Sequence, residues 1–340
     1  PAEIVGIRPL PLALSLYREL ITDSIWAYQR HNYGYRNLRS FPLMPHFFGL
    51  PYIDVRVSFN SFIPADLDES LAGRLVDYYI DRLLSEPTLH DKVEFEIVFS
   101  CYTLDLPKRL ESLYQAGFSK DDIELIANSL RKLTNRIVHP KEGLWRGDAA
   151  KINILNERRD KLLRESSGPL ERIYWLIEDA KRNGTLPFAG LARAGFVAVQ
   201  MLRSLESVGV FSKTDCDSFI RSVSTVSGQL LRDRSILDRS TFLSRYGHLR
   251  PGTYNILSPR YDEAPDIYFD WNQKPTPPEP IKPFALTLPQ MRETVKLLET
   301  HGLHPDAVGL FNFIQAGIEM RELSKFHFSR NVSVVLSLVA

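Results

Sequence analysis

Between Tyr246 and Glu263 the chain reads Tyr-Gly-His-Leu-Arg-Pro-Gly-Thr-Tyr-Asn-Ile-Leu-Ser-Pro-Arg-Tyr-Asp-Glu. Core packing does not call for such a run, which has little apolar periodicity. Gly247 and Gly252 let the backbone turn or approach a ligand closely, and Pro251 and Pro259 stiffen the residues after them. Arg250 and Arg260 each present a planar fork of donors suited to phosphate or carboxylate. His248 has an ordinary pKa near neutrality and is the candidate general base. Tyr254 offers an apolar ring with a hydroxyl handle. The same residues also read as a surface turn in which the arginines pair with Asp262 and Glu263. A second group is Arg321, Glu322 and Lys325. Arg321 and Lys325 lie four residues apart and share a helical face, with Glu322 beside it to orient one of them. The alternative for this group is a solvated ion-pair ladder, which contributes little.

The first segment resembles the Tyr-Gly-His/Met…Gly…Asp-Ile/Leu…Pro-Arg-Tyr/Trp signature of phosphoenolpyruvate-synthase-like phosphotransferases, the family that includes rifampin phosphotransferase. Other stretches are similar to the family in the matching order. Pro1-Ala-Glu-Ile-Val-Gly with Pro9, Pro11 and Ser15-Leu resembles the junction after an ATP-grasp domain, and the strand-like Gly49-Leu-Pro-Tyr-Ile-Asp-Val is similar to a further family element. Glu319-Met-Arg-Glu-Leu-Ser-Lys resembles the Arg-Glu-x-x-Lys helix ahead of the swivelling phosphohistidine domain. The chain departs from the pattern at Leu249 and Thr253, where many members carry Arg and an acid, and at Asn255, where the family has Asp. The resemblance therefore speaks for the family rather than for an antibiotic substrate.

That resemblance implies the central, acceptor-binding region of an enzyme in which ATP phosphorylates a histidine on a mobile domain, which then delivers the phosphoryl group to a second substrate. Transfer of this kind needs positioning and cationic stabilisation of the phosphoryl oxygens. Arg250, Arg260, Arg321 and Lys325 are the expected cations, Tyr254 and Glu322 their companions at the substrate, and His248 the base. ATP and Mg2+ are expected in the parent enzyme, with no cofactor held by this chain. The expected partners are flanking ATP-grasp and phosphohistidine domains and a small-molecule acceptor. A noncatalytic helical scaffold that orients neighbouring domains is the rival reading.

Composition narrows the field. The chain has 340 residues, 44% hydrophobic and 24% charged, with net charge +1. This is an ordinary globular balance with a sizeable core. It argues against a nucleic-acid binder, which needs a strongly basic face. Cys101 and Cys216 are the only cysteines, too few for a disulfide framework or a zinc site, and they point to a reducing cytoplasm. There is no phosphate-binding glycine loop, no dinucleotide fingerprint, no His-Glu-x-x-His and no Gly-x-Ser-x-Gly. No long uninterrupted apolar span or signal peptide suggests a membrane role.

The elements expected to position these residues are mainly helices with a small antiparallel β component, an α+β fold built around a central helical substrate-type domain. Leu12–Arg30 suits a helix. The aromatic and basic run Trp26, Tyr28, Arg30, His31, Tyr33, Tyr35, Arg36 and Arg39 reads as a core rimmed by arginines, or as a stacking surface for bases or sugars. Tyr52–Phe62 and Val93–Phe99 alternate apolar and polar residues and predict two strands sharing a small sheet. Asp54, Arg56, Glu94 and Glu96 fall on the polar faces, solvated or lining a cleft. Asp66 and Asp68 open a helix. Ser119 with Asp122, and Thr287 with Gln290, predict capping boxes, and Ile123, Ile126, Leu130, Leu133 and Ile137 form one apolar stripe. Further helices are expected near 148–165, 169–182, 188–207, 213–231 and 235–246. Gly302 is the expected stop of one helix and Pro305 the first turn of a last, long one. Phe118-Ser-Lys-Asp and Phe211-Ser-Lys-Thr-Asp share a capping grammar. The expected organisation is a junction over 1–50, a mainly helical domain over 51–271, a proline-rich linker over 272–283 and a helical segment over 284–340. The apolar run from Val332 to Ala340 predicts an uncovered face formed by Val332, Val335, Leu336 and Val339, prone to self-association, or else a terminal helix docked into the core.

Overall fold

The computed structural model describes residues 2–165, 168–273 and 275–340. Pro1 of the N-terminal motif and Lys274 of the proline-rich run lie outside them. Among the described residues the fold is mainly helical with one two-stranded antiparallel hairpin.

Two helices form its axis. Leu186–Ser207 and Ala307–Val339 pack along each other, and their buried faces carry Leu191, Ala194, Val197, Ala198 and Met201 against Leu310, Phe313 and Ile314. They approach closely because small residues meet at the crossing. A Cβ on Gly317 would sit 2.9 Å from the Ala198 Cβ and 3.1 Å from the Ala194 carbonyl oxygen. Leu144–Arg164, Pro169–Asp179 and Ile25–Tyr33 pack around this axis, and Lys120–Val138 turns the expected stripe of Ile123, Ile126, Leu130, Leu133 and Ile137 into the same core.

Local capping explains where most helices begin. Ser119 and Asp122, Ser212 and Asp215, and Thr287 and Gln290 each form a reciprocal capping box. Phe118 and Phe211 are buried just ahead of the first two. Gly302 closes its helix at φ 64°, a left-handed value suited to glycine. Asp306 caps the last helix, so Pro305 lies ahead of the cap rather than in the first turn. The expected helix over 213–231 is two, Lys213–Ser222 and Val226–Ile236, because Thr225 caps the second. The expected helices near 169–182 and 188–207 join into one rod, Pro169–Ser207, through a π-helical turn at Ala180–Thr185. This rod is long and apolar enough to cross a bilayer, but 67% of its apolar window is buried within the protein, as in the core helix of a soluble protein.

The two expected strands are corrected. Asp54 accepts the backbone N–H of Val57 and starts a helix over Val55–Asn60. Val93–Glu96 is a short helix, followed by Ile97, Val98, Phe99 and Ser100, all buried in succession without alternation. The observed hairpin pairs His46–Phe47 with Leu50–Pro51. Its turn residues, Phe48 at φ 52° and Gly49 at φ 77°, both have the positive φ of a tight hairpin turn.

The apolar tail is covered. Val332 and Leu336 pack with Leu14, Leu16, Tyr17 and Tyr254, and Val335 packs with Leu162 and Leu176. Of the four tail residues expected to be uncovered, Val339 alone is exposed. The docked-helix alternative describes this end of the chain, and the expected sticky face is corrected accordingly.

Candidate functional site

The Tyr246–Glu263 segment is an ordered loop closed on itself. The helix Arg239–Tyr246, capped by Asp238, delivers it. A side chain at Gly247 would run into the Leu243 carbonyl and into Asp262. Without one, the chain folds back, and Tyr261 N–H donates to the Leu249 carbonyl at 2.9 Å and Asp262 N–H to that of Gly247 at 3.2 Å. The Tyr246 hydroxyl donates to Asp233 at 2.8 Å, and burial together with this bond raises its pKa.

The loop lies along one face of the long helix Ala307–Val339. Phe326, Arg330, Ser333 and Ser337 recur at steps of four, three and four, which keeps them in register on that face. The His248 ring packs edge-on against Phe326, with centroids 4.7 Å apart. Its Nε2 lies 3.2 Å from the Phe326 carbonyl, and its Nδ1 accepts from Arg330 Nε at 3.3 Å. A carbonyl only accepts and a guanidinium only donates, so the partners fix a neutral ring with its proton on Nε2. Burial, then the positive charge of Arg330, pushes its pKa down to about 3. Both ring nitrogens are engaged, so His248 could accept a substrate proton only after releasing one of these partners.

Arg250 is buried. It donates to the Ser258 carbonyl at 3.1 Å, weakly to that of Asn255 at 3.5 Å, and to Ser333 Oγ at 3.3 Å, tying the loop to the long helix. Burial lowers its pKa. Arg260 pairs with Asp262 and lies 3.9 Å from Glu263, as the turn alternative expected, while its Nη1 reaches Ser337 at 3.4 Å. Tyr254 departs from the group: its ring is buried edge-on against Tyr17, 5.3 Å between centroids, in the N-terminal core.

The second expected group does not join the first. Arg321 and Lys325 are exposed on a different face of the long helix, with Arg321 5.5 Å from the Phe196 ring. Glu322 orients neither of them. Its carboxylate accepts the backbone N–H and hydroxyl of Ser227, each at 3.2 Å, and so holds the start of Val226–Ile236.

Sequence reasoning missed the residues that complete the loop's surroundings. Arg159 is buried, bonded to Asp160 and, at 2.9 Å, to Asn156 Oδ1, whose Nδ2 lies 2.9 Å from His327 Nδ1. Burial, Arg330 and Arg159 push the His327 pKa down to about 4. Arg330 is half-buried and donates to the Arg245 carbonyl at 2.9 Å, and its pKa is lowered by burial and by Arg159. Arg250 and Arg330 form no ion pair among the described residues. The available signal was the periodic polar interruption of an apolar tail by Arg330, Ser333 and Ser337.

The largest described cavity, about 920 Å³, lies elsewhere. Leu67, Leu125, Arg131, Arg136 and His304 line it, and none of the seven expected site residues does. No three metal-ligating side chains converge among the described residues. No family model, curated protein or solved structure matches the chain.

Proposed function

We propose that this chain is the acceptor-binding and docking region of an ATP-dependent phosphotransferase that works through a swivelling phosphohistidine domain. The supporting observation is the ordered loop clamped to the long helix, where Arg330, which forms no ion pair among the described residues, stands beside His248, and His248 and His327 are both held neutral. Cations that are not already neutralised keep their field for an incoming anionic group, and in partly desolvated surroundings that field is strong. Arg330 is the better-placed phosphoryl contact, since it is half-buried where Arg250 is buried, although its Nε and Nη2 are bonded to His248 and to the Arg245 carbonyl. Lys325 and Arg321, exposed on the neighbouring face, suit the approach of the phosphorylated domain. In this reading the protein is cytoplasmic, ATP and Mg2+ act on the ATP-grasp domain, and the acceptor is a small hydroxyl or enol compound.

The test is a separation of half-reactions in the gene product that carries this chain. With ATP and Mg2+, an acid-labile phosphohistidine should form and disappear when an acceptor is added. Arg330→Ala should leave its formation intact and slow its discharge roughly 30- to 1000-fold, the usual cost of losing a charge-assisted contact in the transition state. Absence of phosphohistidine, or discharge within about twofold of wild type, would sink the proposal.

One observation favours the scaffold reading. Glu319 and Glu322 both serve the start of Val226–Ile236, through Ser224 and Ser227, which is structural work rather than substrate contact. Full phosphotransfer in a variant carrying Arg330→Ala together with Arg321→Ala and Lys325→Ala would support it.

A further inference from the structure

The deepest polar cluster lies away from this loop. Arg193, on the helix Leu186–Ser207, has a side chain with no exposed surface. Arg30, on Ile25–Tyr33, stands near it, and both guanidinium groups lie over the Phe62 ring, at 5.0 and 5.3 Å. Tyr35 and Phe196 face Arg193 at 5.8 and 5.6 Å. The carboxylate that pairs with both arginines is Glu94, on the short helix Val93–Glu96. Its Oε1 lies 2.5 Å from Arg193 Nη2 and 3.6 Å from Arg30 Nη2.

Two cations thus share one oxygen of one carboxylate. Arg30 Nη1 donates to Gln29 at 2.8 Å. Arg30 Nε, Arg193 Nε and Arg193 Nη1 are buried without a hydrogen-bond partner, as is Glu94 Oε2. Burial pushes the Cys101 thiol up to about 11 and the Tyr35 phenol to about 12, so neither supplies negative charge at neutral pH, and the Asp105 carboxylate that acts on Cys101 is accompanied by the cation of Arg109. Arg30 is held down to about 10 by burial and by Arg193, which still leaves it charged. The cluster therefore has a surplus of one positive charge and of N–H donors. Ring faces offset part of that cost, but a buried charge and buried donors both call for a partner. Water would accept the N–H groups and leave the charge unbalanced. An anion meets both needs; the side chains of Arg30 and Glu94 keep 17% and 15% exposure and give it a way in, and the enclosed Arg193 favours a small one.

We propose that Arg30 and Arg193 hold a small monovalent anion of the chloride class beside Glu94. The site shares no residue with the acceptor loop, so it stands or falls independently of the phosphotransferase reading.

Thermal unfolding in sodium chloride and in sodium gluconate, at one ionic strength, tests it. Chloride should raise the melting temperature saturably, as one-site linkage requires, and gluconate should not. Arg30→Gln removes the surplus charge at the less enclosed of the two positions and should abolish the chloride-specific rise. Glu94→Gln removes the competing negative charge and should lower the half-saturating chloride concentration, by roughly tenfold for a gain of about 1.4 kcal/mol. Crystals grown in bromide should show an anomalous peak within hydrogen-bonding distance of Arg193, which locates the ion whether or not either variant folds. Identical melting in the two salts, a chloride response unchanged by either substitution, or no peak at Arg193 would overturn the proposal.

Discussion

At the scale of the residue, the types of side chain in the Tyr246–Glu263 loop were legible and their directions were not. Gly247 and the prolines announced a constrained turn, and the turn exists. That Arg250 points inward to Ser333 depends on a helix more than eighty positions later, which no local pattern contains. The two neutral histidines yield a prediction with a definite sign. Their folded values, about 3 for His248 and about 4 for His327, lie below the ordinary 6.5. Between those limits the unfolded chain binds more protons, so their contribution is full above about pH 6.5 and is lost as pH falls below it. Each contributes a slope of at most about 1.4 kcal/mol per pH unit. Urea melts from pH 7 to pH 5 should show falling stability, and His248→Gln, which keeps a donor and an acceptor, should flatten the slope. A slope identical in the two proteins would contradict the assignment. Arg250→Ala should cost about 1–3 kcal/mol, because the Ser258 carbonyl and Ser333 lose a buried partner. Equal denaturation midpoints would show that the loop does not depend on it.

At the scale of the element, capping carried the clearest signal. Ser119, Thr287 and Gly302 each act on backbone groups within a few residues, so local sequence suffices to place them. Val55–Asn60 and Val93–Glu96 went the other way for a related reason. Asp54 is an N-cap as well as a polar residue in an alternating run, and period-two alternation over one short segment cannot separate the two roles. The join at Ala180–Thr185 was also hidden, since a π turn keeps the rod helical where Asn183-Gly184 suggests a break. The close crossing of the two axial helices is open to direct test. Gly317→Ala places a methyl group 2.9 Å from the Ala198 Cβ and 3.1 Å from the Ala194 carbonyl oxygen. Two rigid helices cannot yield to it cheaply, and the loss should be about 1–3 kcal/mol, measured by chemical denaturation. A neutral result would mean that the helices can part without cost.

At the scale of the whole molecule, fold class was legible from composition and helical periodicity, while the arrangement of cores was not. The apolar end read as a sticky surface because its covering residues, Leu14, Tyr17, Leu162 and Tyr254, come from distant segments. Removing residues 332–340 should therefore lower the melting temperature and release the 246–263 loop to proteolysis, because Ser333 and Ser337 go with it. A truncated chain that melts like the intact one would restore the uncovered-face expectation. The axial pair has a further consequence, during synthesis. Ala198 leaves the ribosome about 120 residues before Gly317, some 6 to 24 s at ordinary elongation rates. Through that interval the face along Ala194 and Ala198 lacks the long helix that closes it, while Ile25–Tyr33 and Leu144–Arg164 already supply partners on other faces. Slower elongation lengthens the time for which that face of the nascent chain stays open.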